Sequence, residues 1–207
     1  MVSGLSKLID PARPIVLDTS VVINLAATGV ADRILAALPN LTVVLDAVQE
    51  DLRRNSESDR PALKVLEELI ETKAVRLVEG TNLSQGYFES LVAGSGPDTL
   101  DDGEAATIAY ALEQAATPIL DERKALRICR ENFAALQTAS TIDILSHPSV
   151  GRSLGRDLLR EAVDRALEAH MRVLPDHIDW LVDLLGAEAV SKYATIPARI
   201  RASLSRS

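Results

Sequence analysis

The sequence predicts an α/β fold: a three-layer α/β/α sandwich with a central parallel sheet of four or five strands, plus a helical C-terminal appendage. Three observations carry this. Short runs of branched apolar residues recur between segments of helical periodicity up to about residue 148. Strands that alternate with helices need crossovers, and crossovers place a parallel sheet between two helical layers. Beyond His147-Pro148 the strand pattern stops and only helical periodicity continues.

The elements follow in order. Pro14-Ile-Val-Leu-Asp18 reads as a short buried strand closed by an acid, and Thr19 and Ser20 then offer capping oxygens to a helix through Val22, Asn24 and Leu25. A second helix over 31–38 ends at the turn signal Pro39-Asn40, and 41–45 is the second strand. Asp46 opens a helix that carries Glu50, and the polar stretch 55–60 is a loop. Residues 61–72 have helical periodicity, 75–78 form a third strand, and 84–92 are helical again. Gly94-Ser-Gly-Pro97 is a flexible break fit to border a substrate groove. Asp101 or Asp102 caps a helix through Gln114, with Ile108, Ala109 and Leu112 on one face. Pro118-Ile-Leu-Asp121 is the fourth strand, followed by a helix over 123–131, a short fifth strand at 134–138 and a helix over 141–145. The C-terminal part reads as one long amphipathic helix over 153–170, then 175–185, then a shorter helix at 188–193. The expected organisation is an N-terminal extension at 1–13, an α/β domain at 14–148 and helices at 149–207.

Composition narrows the function. With 47% hydrophobic and 25% charged residues the chain can bury a full core, so disorder is not expected. Aromatics at 3% argue against a stacking platform for single-stranded nucleic acid. A net charge of −8 runs against phosphate binding, although Arg123, Lys124, Arg127 and Arg130 offer a local basic rim. The single cysteine, Cys129, excludes an internal disulfide and a cysteine zinc site. His147, His170 and His177 lack metal-ligand spacing, and Trp180 reads as a core anchor or a partner contact. No run has the length of a signal peptide or a membrane span, so a cytoplasmic protein with no membrane partner is expected.

Four acids fall at junctions between strands and helices: Asp18, Glu50, Glu104 and Asp121. Each has a structural reading as well. Asp18 can be a helix cap, Glu50 a solvated surface residue, Glu104 a first-turn acid favoured by the helix dipole, and Asp121 has Glu122 as a rival. Gathered at the carboxyl ends of parallel strands, they would repel one another unless a dication lay between them. Hard oxygen ligands suit Mg²⁺ or Mn²⁺, which points to a metal-dependent phosphodiesterase.

The stretch Ile15-Val-Leu-Asp-Thr-Ser-Val-Val-Ile-Asn24 resembles the opening motif of the PIN domain, a family of metal-dependent ribonucleases. Leu45-Asp-Ala-Val-Gln-Glu50 resembles its second motif, Asp102-Gly-Glu-Ala-Ala-Thr-Ile-Ala109 its third, and Ile119-Leu-Asp-Glu-Arg123 its fourth. Thr138-Ala-Ser-Thr-Ile-Asp-Ile-Leu145 is similar to the segment that closes the domain. The third motif often carries Asp, so Asp101 and Asp102 compete there with Glu104. The resemblance implies that Asp18, Glu50, Glu104 and Asp121 hold Mg²⁺ or Mn²⁺. Asp18, rigid at its strand end, is then the most direct ligand, Thr19 and Ser20 can donate to a metal water or the phosphate, and Asn24 either orients these groups or, as the preferred reading, only caps or faces solvent. It implies an RNA substrate, a protein antitoxin or inhibitor if the chain is the toxin of a toxin–antitoxin pair, and a homodimer. The alternative is a catalytically degenerate PIN-like interaction module. A haloacid-dehalogenase-like phosphatase would need an acid where Ser20 stands, and a receiver would need paired acids after the first strand.

Overall fold

Burial on both faces is what makes the central strands. In a computed structural model, which describes residues 6–8, 10–54, 59–80, 85–92 and 99–205, β1 (Ile15–Leu17), β2 (Thr42–Leu45) and β4 (Thr117–Ile119) are buried throughout. Uninterrupted apolar runs of this kind belong to parallel sheets covered by helices on each side. β3 (Arg76–Val78) exposes Arg76 and Leu77, as an edge strand does. The order is β3-β2-β1-β4 and every pairing is parallel, with Leu17 opposite Val44 on one side and Ile119 on the other.

This order sends the chain from β1 outward through β2 to β3, then back across β1 to β4. The carboxyl ends of β1 and β4 therefore flank the point where the winding reverses, the usual ligand crevice of open α/β sheets. Asp18 and Asp121 follow these two strands.

Among the described residues the sheet has four strands. The predicted fifth, at 134–138, does not pair: Leu136 N donates to Phe133 O in a turn after the preceding helix. Only Ala139 bridges to Ile119. Pro118 is tolerated because its missing N–H would point to the outer edge, while Thr117 N donates inward to Pro14 O.

Helices cover the sheet in chain order: α1 (Thr19–Ala27), α2 (Ala31–Ala37), α3 (Asp46–Arg54), α4 (Arg60–Glu71), α5 (Gln85–Val92), α6 (Asp102–Glu113), α7 (Arg123–Asn132) and α8 (Thr141–Leu145). Beyond these lie α9 (Pro148–Leu154), α10 (Arg156–Glu168), α11 (Ile178–Leu185), α12 (Ala187–Lys192) and α13 (Ala198–Leu204). The long helix predicted over 153–170 is broken at Gly155, whose φ of +76° leaves the helical region between α9 and α10. The predicted 175–185 helix begins as a 3-10 turn at Pro175–His177, and α13 had no counterpart in the expectations. The predicted break at 94–97 and most of the loop at 55–60 lie outside the described residues.

The largest apolar core joins Leu25 and Ile34 of α1 and α2 to Val150, Val163, Leu181 and Ile196 from the C-terminal helices. A second core gathers Ile108, Leu120 and Ile128 beneath α6 and α7. Among the described residues no single helix is long and apolar enough to cross a membrane.

Candidate functional site

Asp18 sits at the carboxyl end of β1 and caps α1, its side chain accepting from Ser20 N at 3.3 Å and Ser20 Oγ at 2.8 Å. Only 4% of it is exposed. Burial pushes its carboxyl up to about 6; the Ser20 hydroxyl works against this, and the Asp101 charge adds to it. Glu104 lies in the first turn of α6, 5% exposed. Burial, then Asp101, then Asp18 raise it to about 7, with Lys124 opposing.

α6 reaches this position because Asp101 caps it, accepting from Glu104 N at 2.8 Å. Gly103 permits the approach. A methyl group there would overlap the Asp51 carboxylate and stand 3.2 Å from Thr19 Oγ1. Asp51, on α3, accepts from that same Thr19 hydroxyl at 3.3 Å. Its carboxyl is raised by burial and then by Asp101, with Asp102 adding to the effect and Arg54 opposing.

The four acids expected from sequence therefore separate. Asp18 and Glu104 come together, joined by Asp51, Asp101 and Asp102. Glu50 does not join them: its side chain is 57% exposed and pairs with Arg54 at 2.6 Å. The reason is helical phase. Val48 and Leu52 define the buried face of α3, Glu50 points opposite them, and Asp51 lies beside that face. Applied to α3, this periodicity finds Asp51 from the sequence.

Asp121 is buried at 3% exposure and occupied by the protein's own donors. Asn24 Nδ2 donates to it at 2.7 Å, Thr141 N at 2.9 Å, and the Thr141 hydroxyl as well. Burial raises its carboxyl, and these donors and His177 draw it back. Asn24 thus ties α1 to the end of β4. Glu122, the rival beside Asp121, pairs with Arg172. His177, 1% exposed, lies with Nε2 3.4 Å from Asp143 Oδ1. Asp143 in turn closes a capping box with Ser140 at the start of α8.

The donor set at Asp18, Asp51, Asp101 and Glu104 is all carboxylate oxygen, the chemistry that Mg²⁺ and Mn²⁺ prefer. Among the described residues no group of three or more His, Cys, Asp or Glu side chains is arranged to hold a metal ion. Mg²⁺ keeps several waters and takes one or two carboxylates, so an open acidic cup suits it. The residues fit the ion by charge and donor type.

A family profile described as a PIN domain matches residues 14–187. No curated protein and no solved structure matches the chain significantly. PIN domains are in general nucleases, typically dependent on a divalent metal and acting on nucleic acid. The profile spans the sheet, the acidic cup and the helices through α11, and on that extent the chain belongs to the PIN domain family.

Proposed function

We propose that the protein is a metal-dependent endoribonuclease that hydrolyses RNA phosphodiester bonds at the cup formed by Asp18, Asp51, Asp101 and Glu104. One observation carries the reading. Asp18 at the end of β1, Asp51 of α3 and Glu104 of α6, distant in the chain, all lie within electrostatic reach of Asp101 near the sheet's reversal point.

Asp18 and Glu104 are the residues that would hold Mg²⁺ or Mn²⁺, with Asp51 and Asp101 beside them. A bound cation supplies an activated water and neutralises charge on the phosphate oxygens. The Ser20 hydroxyl fixes the Asp18 carboxylate, and Thr19 fixes Asp51. Lys124, which opposes the charge of Glu104, is placed to attract a phosphate toward the cup. Asp121 serves the scaffold by anchoring Asn24 and Thr141.

A labelled RNA incubated with Mn²⁺ tests this. Cleavage is expected with wild type and with Glu50→Gln, and is expected to vanish with chelator, Asp18→Asn or Asp51→Asn. Undiminished metal-dependent cleavage by Asp18→Asn would overturn it. A second reading, a degenerate interaction module, gains support from Glu50 facing outward and Asp121 being fully bonded within the protein. It requires no turnover by wild type under any divalent ion. The toxin role adds one further expectation: expression in a bacterial host arrests growth, and Asp18→Asn relieves the arrest.

A further inference from the structure

On an acidic chain, with 30 acids against 22 Lys and Arg, one cavity reverses the balance. It has a volume of about 1000 Å³ and lies between α7 and the C-terminal segments around Pro175 and Arg199. Five cations line it: Arg123, Arg127 and Arg130 of α7, with Lys7 and Arg199 from near the two ends of the chain. Among the described residues Asp176 is the one acid in that lining. Arg127 is tied to Glu131 at 2.9 Å. Among the described residues no acid pairs with Arg123, Arg130, Arg199 or the Lys7 ammonium. Unpaired cations gathered in one concavity create a field that only an anionic ligand neutralises.

The arrangement is linear. Arg123, Arg127 and Arg130 share one face of α7 at spacings of four and three, covering roughly 10 Å of helix. That suits a run of phosphates better than a single anion. Leu126, Leu136, Leu174 and Ile200 give the cavity apolar surface. With no aromatic side chain among the described lining residues, the guanidinium planes are the groups on which bases can stack. Lys124 joins the groove to the acids, since the same helix places it beside Glu104 while the arginine face turns away.

We propose that this groove holds the sugar–phosphate backbone of single-stranded RNA, on the side of α7 away from the acidic cup. The choice of RNA over another polyanion rests on the nuclease reading; the charge and shape argument does not. The consequence is an enzyme that grips its strand some distance from the bond it cuts.

Binding and cleavage are measured separately. Fluorescence anisotropy with a labelled single-stranded RNA, in chelator so that nothing is cut, compares wild type with the triple variant Arg123→Gln, Arg130→Gln, Arg199→Gln. Arg53→Gln, Lys64→Gln and Arg76→Gln together serve as a charge-matched control on the surface of α3, α4 and β3, and circular dichroism checks that each variant is folded. Loss of three phosphate contacts lowers affinity by at least about tenfold and the slope of log K against log salt by about 2, with the control within about twofold of wild type. An equal loss in the control, no RNA binding by wild type, or tighter binding of an oligoglutamate peptide than of RNA at this groove would each overturn the proposal. Unchanged KM for RNA cleavage in the triple variant would overturn it while leaving the nuclease reading intact. Groove-dependent binding by a wild type that never cleaves would sink the nuclease reading and leave the groove standing.

Discussion

Asp18 and Glu104 hold their protons more tightly in the folded protein than in the unfolded chain, and that has a sign. The Asp18 carboxyl rises from 3.8 to about 6, so the native state binds more protons than the unfolded state between those values. Stability is then highest at low pH and falls as pH rises through that window, by about 3 kcal/mol for this residue. Glu104, raised from 4.5 to about 7, acts in the same direction and extends the decline toward neutrality. Urea melts of metal-free protein are expected to show a lower midpoint at pH 8 than at pH 5, with Asp18→Asn flattening the difference and Mn²⁺ raising the midpoint at pH 8. Asp121, whose carboxyl burial also raises, adds to the same pH trend, but its donors make its removal costly. Asp121→Ala strands the Asn24 amide and the Thr141 donors in the interior, at a cost of about 2–4 kcal/mol in the same melts. At this scale the sequence was partly legible. Asp18 and Glu104 were found because a strand end and a helix start fix where they stand. Glu50 was expected, and Asp51 was not, because the motif supplied a position without the helical phase. The inward turn of Asp121 depends on Thr141 and Asn24, partners that no local pattern names.

The helices were placed well by periodicity, and their ends less so. Gly155 sits inside a run whose apolar spacing continues on both sides, which is why one helix was expected where α9 and α10 stand. Gly155→Ala, at φ +76°, is expected to destabilise by about 1 kcal/mol in thermal melts, because it strains the break without removing any contact. Gly103 is a different case. Its lack of a side chain lets the start of α6 lie against Asp51 and Thr19, so Gly103→Ala displaces the Asp51 carboxylate. The expected result is a loss of Mn²⁺ affinity and of cleavage larger than any loss of stability, read by calorimetric titration beside a melt. Of the four or five strands expected, the optional fifth did not form, because an apolar run is only a strand when a neighbour's edge is free to receive it. At 134–138 the chain is still turning from α7.

For the molecule as a whole, the C-terminal helices share the largest core with α1 and α2. The domain expected to close at residue 148 would leave Leu25, Ile34 and Leu35 without the residues of α9 to α11 that cover them. A chain ending there is expected to show lost near-ultraviolet dichroism and dye binding of a molten kind. A cooperative melt of that fragment would show the helices to be dispensable. His177 strengthens the link, since the 3-10 turn that leads into α11 places its imidazole against Asp143 at the base of α8. The layer architecture was readable from sequence because each run of strand and helix announces itself locally. How the tail folds back was not, since amphipathic faces show that a helix is covered without showing by what.

Pro118 closes one flank of the ladder: it offers no amide outward, and Ala139 takes the next bond there. The opposite flank is β3, three residues long and guarded by Arg76. Neither border invites a neighbour's backbone. Two copies of this protein that pair in solution must therefore meet through the side chains of their outer layers, because the hydrogen-bonded ribbon of one cannot be continued by the other.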